Sequence, residues 1–288
     1  VPPGTPTAIN AWILNLAMPA VILLYVPHIR WSLEALLPLG APFLITAGAG
    51  LWVTLVGRPM GWDQGQRTAV FLTSGLGNTS FVGFPLILAY YGAEALPTGV
   101  LADQASFFLL ATAGIGAAAV FQAAAGAGTP GRSVGRTIAG RLLSFPPLLT
   151  FPVALLWPQD GGLAALEPLL KALGATLAPL ALFSVGIQLS FSQVRAGGGS
   201  LGVGLFYKLV LAPVLVLGLA LALGLRGEVV TITVFEAAMA PMITSAVVAG
   251  EYGAAPRLAN AMVGLGIPLS LVTTGLWWWV LKLVVPAA

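Results

Sequence analysis

The sequence predicts an all-α membrane protein. Nine spans are expected as inverted five-helix repeats with two crossed broken helices, the first helix of a ten-helix plan being absent from this chain. Three observations predict it. Of 288 residues, 58% are hydrophobic and only 7% charged, with mean hydropathy +0.97, where a soluble domain carries roughly 25% charged residues. Two of the long apolar segments hold Gly, Pro and small polar residues at their centres. Short sequences recur at nearly constant spacing: Ala17-Met18-Pro19 with Leu177-Ala178-Pro179, offset 160, and Tyr91-Gly92 with Tyr252-Gly253, offset 161.

A span needs about 20 apolar residues. The nine candidates lie at about 6–26, 35–57, 66–91, 98–123, 134–157, 163–190, 201–225, 228–251 and 257–284. The first carries Asn15 ahead of Pro19. The third holds Gly75, Gly77, Asn78, Thr79, Ser80, Gly83 and Pro85 near its middle. A helix unwinds at such a centre, because Gly has low helix propensity and Pro lacks a donor N–H. Unwound backbone in hydrocarbon is costly unless it lines a cavity or is buried in protein. The stretch is therefore either a tolerated kink or a binding site, and we read it as the site. Glycine-rich links follow the fourth span (126–132) and the sixth (196–200). The eighth span is interrupted at Pro241. The repeat pairs the first span with the sixth, second with seventh, third with eighth and fourth with ninth, leaving the fifth alone. Residues 1–128 are then the first repeat, of four helices and lacking its first, and 129–288 the second, of five. An odd number of spans per repeat inverts the second copy, and inverted repeats with paired broken helices mark secondary transporters. The symmetry is imperfect, since Pro85 plus 161 lands on Ala246 rather than Pro241.

If the two breaks cross, two half-helix N-termini face one mid-membrane cavity, each with unpaired N–H groups and partial positive charge. Such ends suit a carboxylate. Asn78, Thr79, Thr244 and Ser245 would add hydrogen bonds, and the opposed half-helix C-termini would offer carbonyls to Na⁺ or to a protonated group. Two acids lie inside spans, Asp103 and Glu236, where ionisable residues are functional candidates. Either would couple transport to H⁺ or Na⁺, with sodium placed near Glu236. Their structural alternatives are an interhelical bond for Asp103 and a bond closing the helix break for Glu236. Lys208 is read as a residue near the inner face whose ammonium snorkels to the interface. Asn15 and Gln188 are repeat-related polar residues whose ordinary role is interhelical bonding. His28 is placed in a loop.

The basic residues divide eight to four. Arg58, Arg67, Arg132, Arg136, Arg141, Arg195, Lys208 and Arg257 share the side of Val1, against Arg30, Lys171, Arg226 and Lys282. This puts Val1 in the cytoplasm and the C-terminus outside, in a cell (inner) membrane. Trp12 and Trp62 fall at the inner interface, and Trp31, Trp157 and Trp277 to Trp279 at the outer. With no cysteine and one histidine, thiolate metal sites, multi-His clusters and a Ser-His-Asp set beyond His28 are excluded. No Gly-Lys-Ser/Thr follows the glycine runs, so an ATP-driven motor is lacking. Enzymatic activity and a nucleic-acid partner are not expected, nor is any cofactor beyond a coupling Na⁺ or H⁺.

Asn78-Thr-Ser-Phe-Val-Gly83-Phe-Pro85-Leu, followed by Tyr91-Gly92, resembles the fourth-helix motif of the auxin efflux carrier family. Leu225-Arg-Gly-Glu-Val-Val, then Glu236-Ala-Ala-Met-Ala-Pro241 and Glu251-Tyr-Gly, resembles that family's ninth helix and its approach. The family includes plant auxin exporters and bacterial permeases for small carboxylates, and is similar in fold to bile acid–sodium symporters. The resemblance implies ten helices in two inverted repeats, a chain that begins at the second helix, a homodimer, and a substrate carboxylate held by Asn78 and by the backbone around Pro85 and Pro241. Glu236 stands where plant carriers look amide-bearing, which favours a coupling ion here. Glu236-x-x-Met239 is also similar to the sodium-binding helix of bile acid symporters. The sequence thus points to a transporter of small organic anions, auxin-like or dicarboxylate, working in a lipid bilayer by rocking or elevator-like alternating access. The alternatives are a sodium-coupled bile-acid-type symporter and, in another class, a non-transporting sensor or assembly subunit.

Overall fold

The computed structural model describes residues 2, 4–29, 31–126, 133–157, 165–189 and 198–285. Val1, Arg30, Arg132 and Arg195, four contributors to the topology argument, lie outside the described residues, as do 127–132 and 196–197 of the two glycine-rich links. Among the described residues there are helices and no strands. Six helices are long and apolar enough to cross a membrane: α1 (Thr5–His28), α2 (Leu36–Gly57), α5 (Ala93–Ala124), α8 (Glu167–Gln188), α9 (Gly198–Ala222) and α12 (Pro256–Val284). A seventh is a bent pair, α6 (Val134–Leu143) and α7 (Pro146–Leu155), meeting at 61°. The two segments expected to break do so, as α3 (Gln64–Gly75) with α4 (Thr79–Tyr90) and as α10 (Glu228–Ala237) with α11 (Ile243–Glu251).

The local causes are legible. Asp63 and Gln66 form a reciprocal capping box that starts α3. Four helices carry a π turn ending two residues before a proline: Ile13–Ala17 before Pro19, Val53–Gly57 before Pro59, Thr79–Gly83 before Pro85, and Tyr207–Leu211 before Pro213. The wider turn absorbs the carbonyl that the proline ring cannot bond. The expected single helix over about 134–157 is instead bent, because Pro146-Pro147 drives Phe145 into extended backbone (φ −98°, ψ 103°). The recurring Tyr-Gly pairs end α4 and α11, and Gly92 and Gly253 take φ values of 85° and 72°. Only glycine adopts that conformation without strain.

The core is built around the broken helices. Phe84, Ile87, Phe235 and Met239 from the breaks are buried among residues of α1, α2 and α8, while Leu72, Leu76, Met242 and Ala246 pack with α9 and α12. Large apolar side chains on the outer faces, such as Leu55, Val272 and Leu276, are exposed, as lipid-facing positions require. Trp62 departs from the expected interfacial belt: it is buried, its ring lying against Gly57.

Candidate functional site

The two breaks cross and are joined through their main chains. Asn78 N–H donates to Ala240 O (2.8 Å) and Met242 N–H to Leu76 O (3.0 Å), forming an isolated antiparallel bridge between Gly77 and Pro241. Unwound backbone thereby satisfies its own polar groups across the crossing, as hydrocarbon surroundings demand. The starts of α4 and α11 lie at this crossing. Asn78 caps α4, its Oδ1 accepting from Phe81 N–H at 3.2 Å. No side chain caps α11; Ser245 N–H donates to Met242 O at 3.2 Å, and the N–H groups ahead of it face the crossing.

A cavity of about 240 Å³ opens beside the two helix starts. Asn78, Ser80 and Phe81 line it from α4, and Met242, Ile243 and Thr244 from α11. Asn10 and Leu14 of α1, Asp103 and Phe107 of α5, and Arg141, Ser144 and Phe145 from the α6–α7 bend complete it. Phe107 and Phe145 stack with centroids 3.4 Å apart. Two polar atoms at this cavity are buried with no hydrogen-bond partner, Asn78 Nδ2 and Asp103 Oδ2. Such atoms are expensive in a fold unless a ligand or water answers them.

A second, much smaller cavity of about 10 Å³ lies on the far side of Thr79, lined by Gly75, Gly77, Ser106, Lys208, Thr233 and Glu236 among others. Thr79 links the two, its Oγ1 donating to Asp103 Oδ1 at 2.7 Å. Lys208 is not a snorkelling residue: it is 1% exposed and its Nζ donates to Ala237 O, at the C-terminal end of α10, at 2.9 Å. It lies ten residues into α9, about 15 Å along the axis and so near mid-membrane. An ammonium there meets the negative end of the helix dipole. Glu236 is 2% exposed and neither carboxylate oxygen has a hydrogen-bond partner. Its carboxylate fits against Gly83 and Gly99, where a Cβ would approach Oε1 to 2.6 Å and 3.3 Å respectively.

Of the residues expected at the site, Asn78, Thr244 and Asp103 line the larger cavity, while Thr79 and Glu236 line the smaller. Pro241 forms the crossing itself. Pro85 lies within α4 and Ser245 within α11; neither lines the two cavities, and Ser245 Oγ bonds Met242 O at 2.7 Å. Asn15 bonds Ala11 O of its own helix. Gln188 lines a separate cavity between α8, α11 and α12. His28 ends α1, its Nδ1 3.0 Å from Leu24 O. Sequence reasoning missed Asn10, Arg141 and the depth of Lys208. Arg141 stands just before Phe145-Pro146-Pro147, and the double proline was the available signal; for Asn10 there was none.

Residues 138–278 match the membrane transport protein family. The chain is 25% identical to an uncharacterized transporter of Methanothermobacter thermautotrophicus over 276 residues, covering 94% of this chain and 87% of the relative. It is 23% identical to an uncharacterized transporter of Methanocaldococcus jannaschii over 282 residues, covering 95% and 89%. A protein of Oryza sativa subsp. japonica named probable auxin efflux carrier component 5a is 31% identical over 94 residues, covering 32% of this chain and 26% of that one. A helical chain with several apolar spans and two crossed broken helices is thus similar, over residues 138–278, to the membrane transport protein family and, more widely, to proteins named as transporters, one of them a probable auxin efflux carrier component.

Proposed function

We propose that this membrane transporter carries small organic anions by alternating access, with the carboxylate held at the start of α4 and α11. The observation that carries the reading is the crossing: two helix N-termini, an unpartnered Asn78 Nδ2 and Thr244 share one cavity. Backbone N–H groups and positive helix ends favour an anion there. The cavity, about 240 Å³, suits a small anion with its waters and is tight for a steroid. In this reading the two broken pairs complete nine spans as inverted repeats, with Val1 cytoplasmic in a cell membrane and one bundle moving against the other.

Coupling is read as protonic. Among the described residues, Asp103 is the carboxyl group lining the substrate cavity and Arg141 the cationic one; Glu236 and Lys208 face the neighbouring cavity. Two carboxylates sharing a site repel unless one carries a proton, so a substrate carboxylate enters beside a protonated Asp103. Lys208 stands where a sodium ion would meet the half-helix carbonyl of Ala237, which favours H⁺ over Na⁺.

The test is ligand-induced thermal stabilisation of the purified chain by small carboxylates, with Na⁺ or K⁺ and across pH. The expected result is a carboxylate-specific rise in Tm that is lost in Asn78→Ala. It should weaken with rising pH in the wild type and be insensitive to pH in Asp103→Asn. Unchanged binding by folded Asn78→Ala would remove Asn78 from the site, and dependence on Na⁺ would overturn protonic coupling.

A further inference from the structure

We propose that the cavity between α8, α11 and α12 binds an anionic glycerophospholipid, with an acyl chain directed toward the helix crossing and the headgroup held at Arg257. The proposal does not depend on what the cavity beside the crossing carries. The lipid cavity measures about 300 Å³ and its polarity is sorted by position. At one end Gln188 closes α8 and Asn260 stands one turn into α12; the walls beyond them, with Val185, Ala246, Val247 and Ile267, are apolar. Asn260 and Ile267 are seven residues apart, about 10 Å along α12, so the cavity runs from the end of the bundle toward its middle. Its wall at Val247 is open, that side chain being 49% exposed. No charged side chain lines it among the described residues. A soluble anion therefore finds no partner inside, whereas an acyl chain finds apolar walls with polar groups at one end to fix its orientation.

Arg257 supplies the charge complement. It precedes Asn260 by three residues and the lining Gly264 by seven, so all three share one face of α12. Arg257 is exposed and has no ion-pair partner among the described residues, which leaves its guanidinium free for a phosphate. Asn260 likewise makes no hydrogen bond among the described residues, and its amide N–H groups suit the ester carbonyls one turn deeper. In the proposed topology this end of the bundle is cytoplasmic, the side on which anionic lipids collect. The bound chain also touches the neighbouring site. Ile243 lines both cavities. Gln188 Nε2 donates to Ser184 Oγ at 2.9 Å, and that hydroxyl donates to Oδ1 of Asn10, in the other cavity, at 2.5 Å. The lipid thus sits between α8 and the α11–α12 pair, against the wall of the candidate transport site.

The experiment supplies the delipidated full chain in detergent with phosphatidylglycerol or phosphatidylcholine of the same acyl chains, and counts bound lipid by native mass spectrometry. Wild type should retain phosphatidylglycerol in preference to phosphatidylcholine by about fivefold, the scale of one cationic side chain at an anionic headgroup. Arg257→Gln should bring that ratio close to one. Val247→Phe, which puts a ring into the open wall of the cavity, should lower retention of both lipids several-fold. Arg226→Gln removes an exposed arginine on the opposite side in the proposed topology and should change neither value. The Tm of each variant, compared with wild type, separates loss of binding from loss of fold. Equal retention of the two lipids by wild type overturns the proposal. So does undiminished retention by folded Val247→Phe, or a loss of preference in Arg226→Gln as large as that in Arg257→Gln.

Discussion

Lys208 shows how a single side chain can carry a cation into the centre of a bilayer. Its four-carbon stem is buried in α9 and its ammonium ends on Ala237 O, between the two broken helices. Lys208→Met keeps the stem and removes the charge. The expected cost is about 1.5–3 kcal/mol, the worth of a hydrogen bond from a charged donor, read as a fall in Tm of the purified protein. A Tm equal to that of wild type would mean that the ammonium contributes nothing to the crossing. This residue was illegible as a site from sequence. Helix α9 is apolar almost throughout, so no polar stripe fixes which way Lys208 faces, and the true helix start at 198 rather than about 201 deepens it by most of a turn. Asn78 was legible for the opposite reason: glycines and a proline crowd around it, and such residues at mid-span have few explanations other than a break.

The broken helices depend on close packing as well as on their own composition. Pro241 sits against Gly266 of α12, where a Cβ would lie 2.5 Å from Pro241 Cδ and 3.0 Å from a Leu205 methyl. A proline ring cannot turn aside, and shifting its backbone would strain the bridge to Gly77. Gly266→Ala is therefore expected to cost about 1–3 kcal/mol, as overpacking generally does, and to loosen the crossing. Hydrogen exchange at the Asn78 and Met242 amides checks it: faster exchange there than in α2 is the expected sign. Gly83 and Gly99 have a softer neighbour in the Glu236 carboxylate. At this scale the sequence reading was sound at the two mid-span breaks, where glycines or a proline interrupt the third and eighth spans. It failed at the α6–α7 bend, where an apolar run concealed a turn that the two prolines impose.

At the scale of the molecule, the chain is a bundle whose apolar outside is as informative as its polar centre. The absence of cysteine makes every single-cysteine variant an unambiguous probe. In the proposed topology Ser133→Cys faces the cytoplasm and Leu223→Cys the outside. An impermeant thiol reagent applied to intact cells should label the second and reach the first only after permeabilisation; the reverse pattern would invert the assignment. Overall class was legible from hydropathy, and the similarity to known transporters from the two motifs. The pocket was not, because it gathers residues of α1, α4, α5, α6 and α11 that no sequence spacing relates.

The bridge between Gly77 and Pro241 uses main-chain atoms alone. Only proline at 78 or 242 deletes a donor of the bridge outright, so most substitutions of cavity-lining side chains leave the scaffold's central joint in place. Selection can therefore rewrite what the cavity recognises while the machinery that carries it is inherited unchanged, which makes this crossing a robust starting point for drift or for engineering toward new cargo.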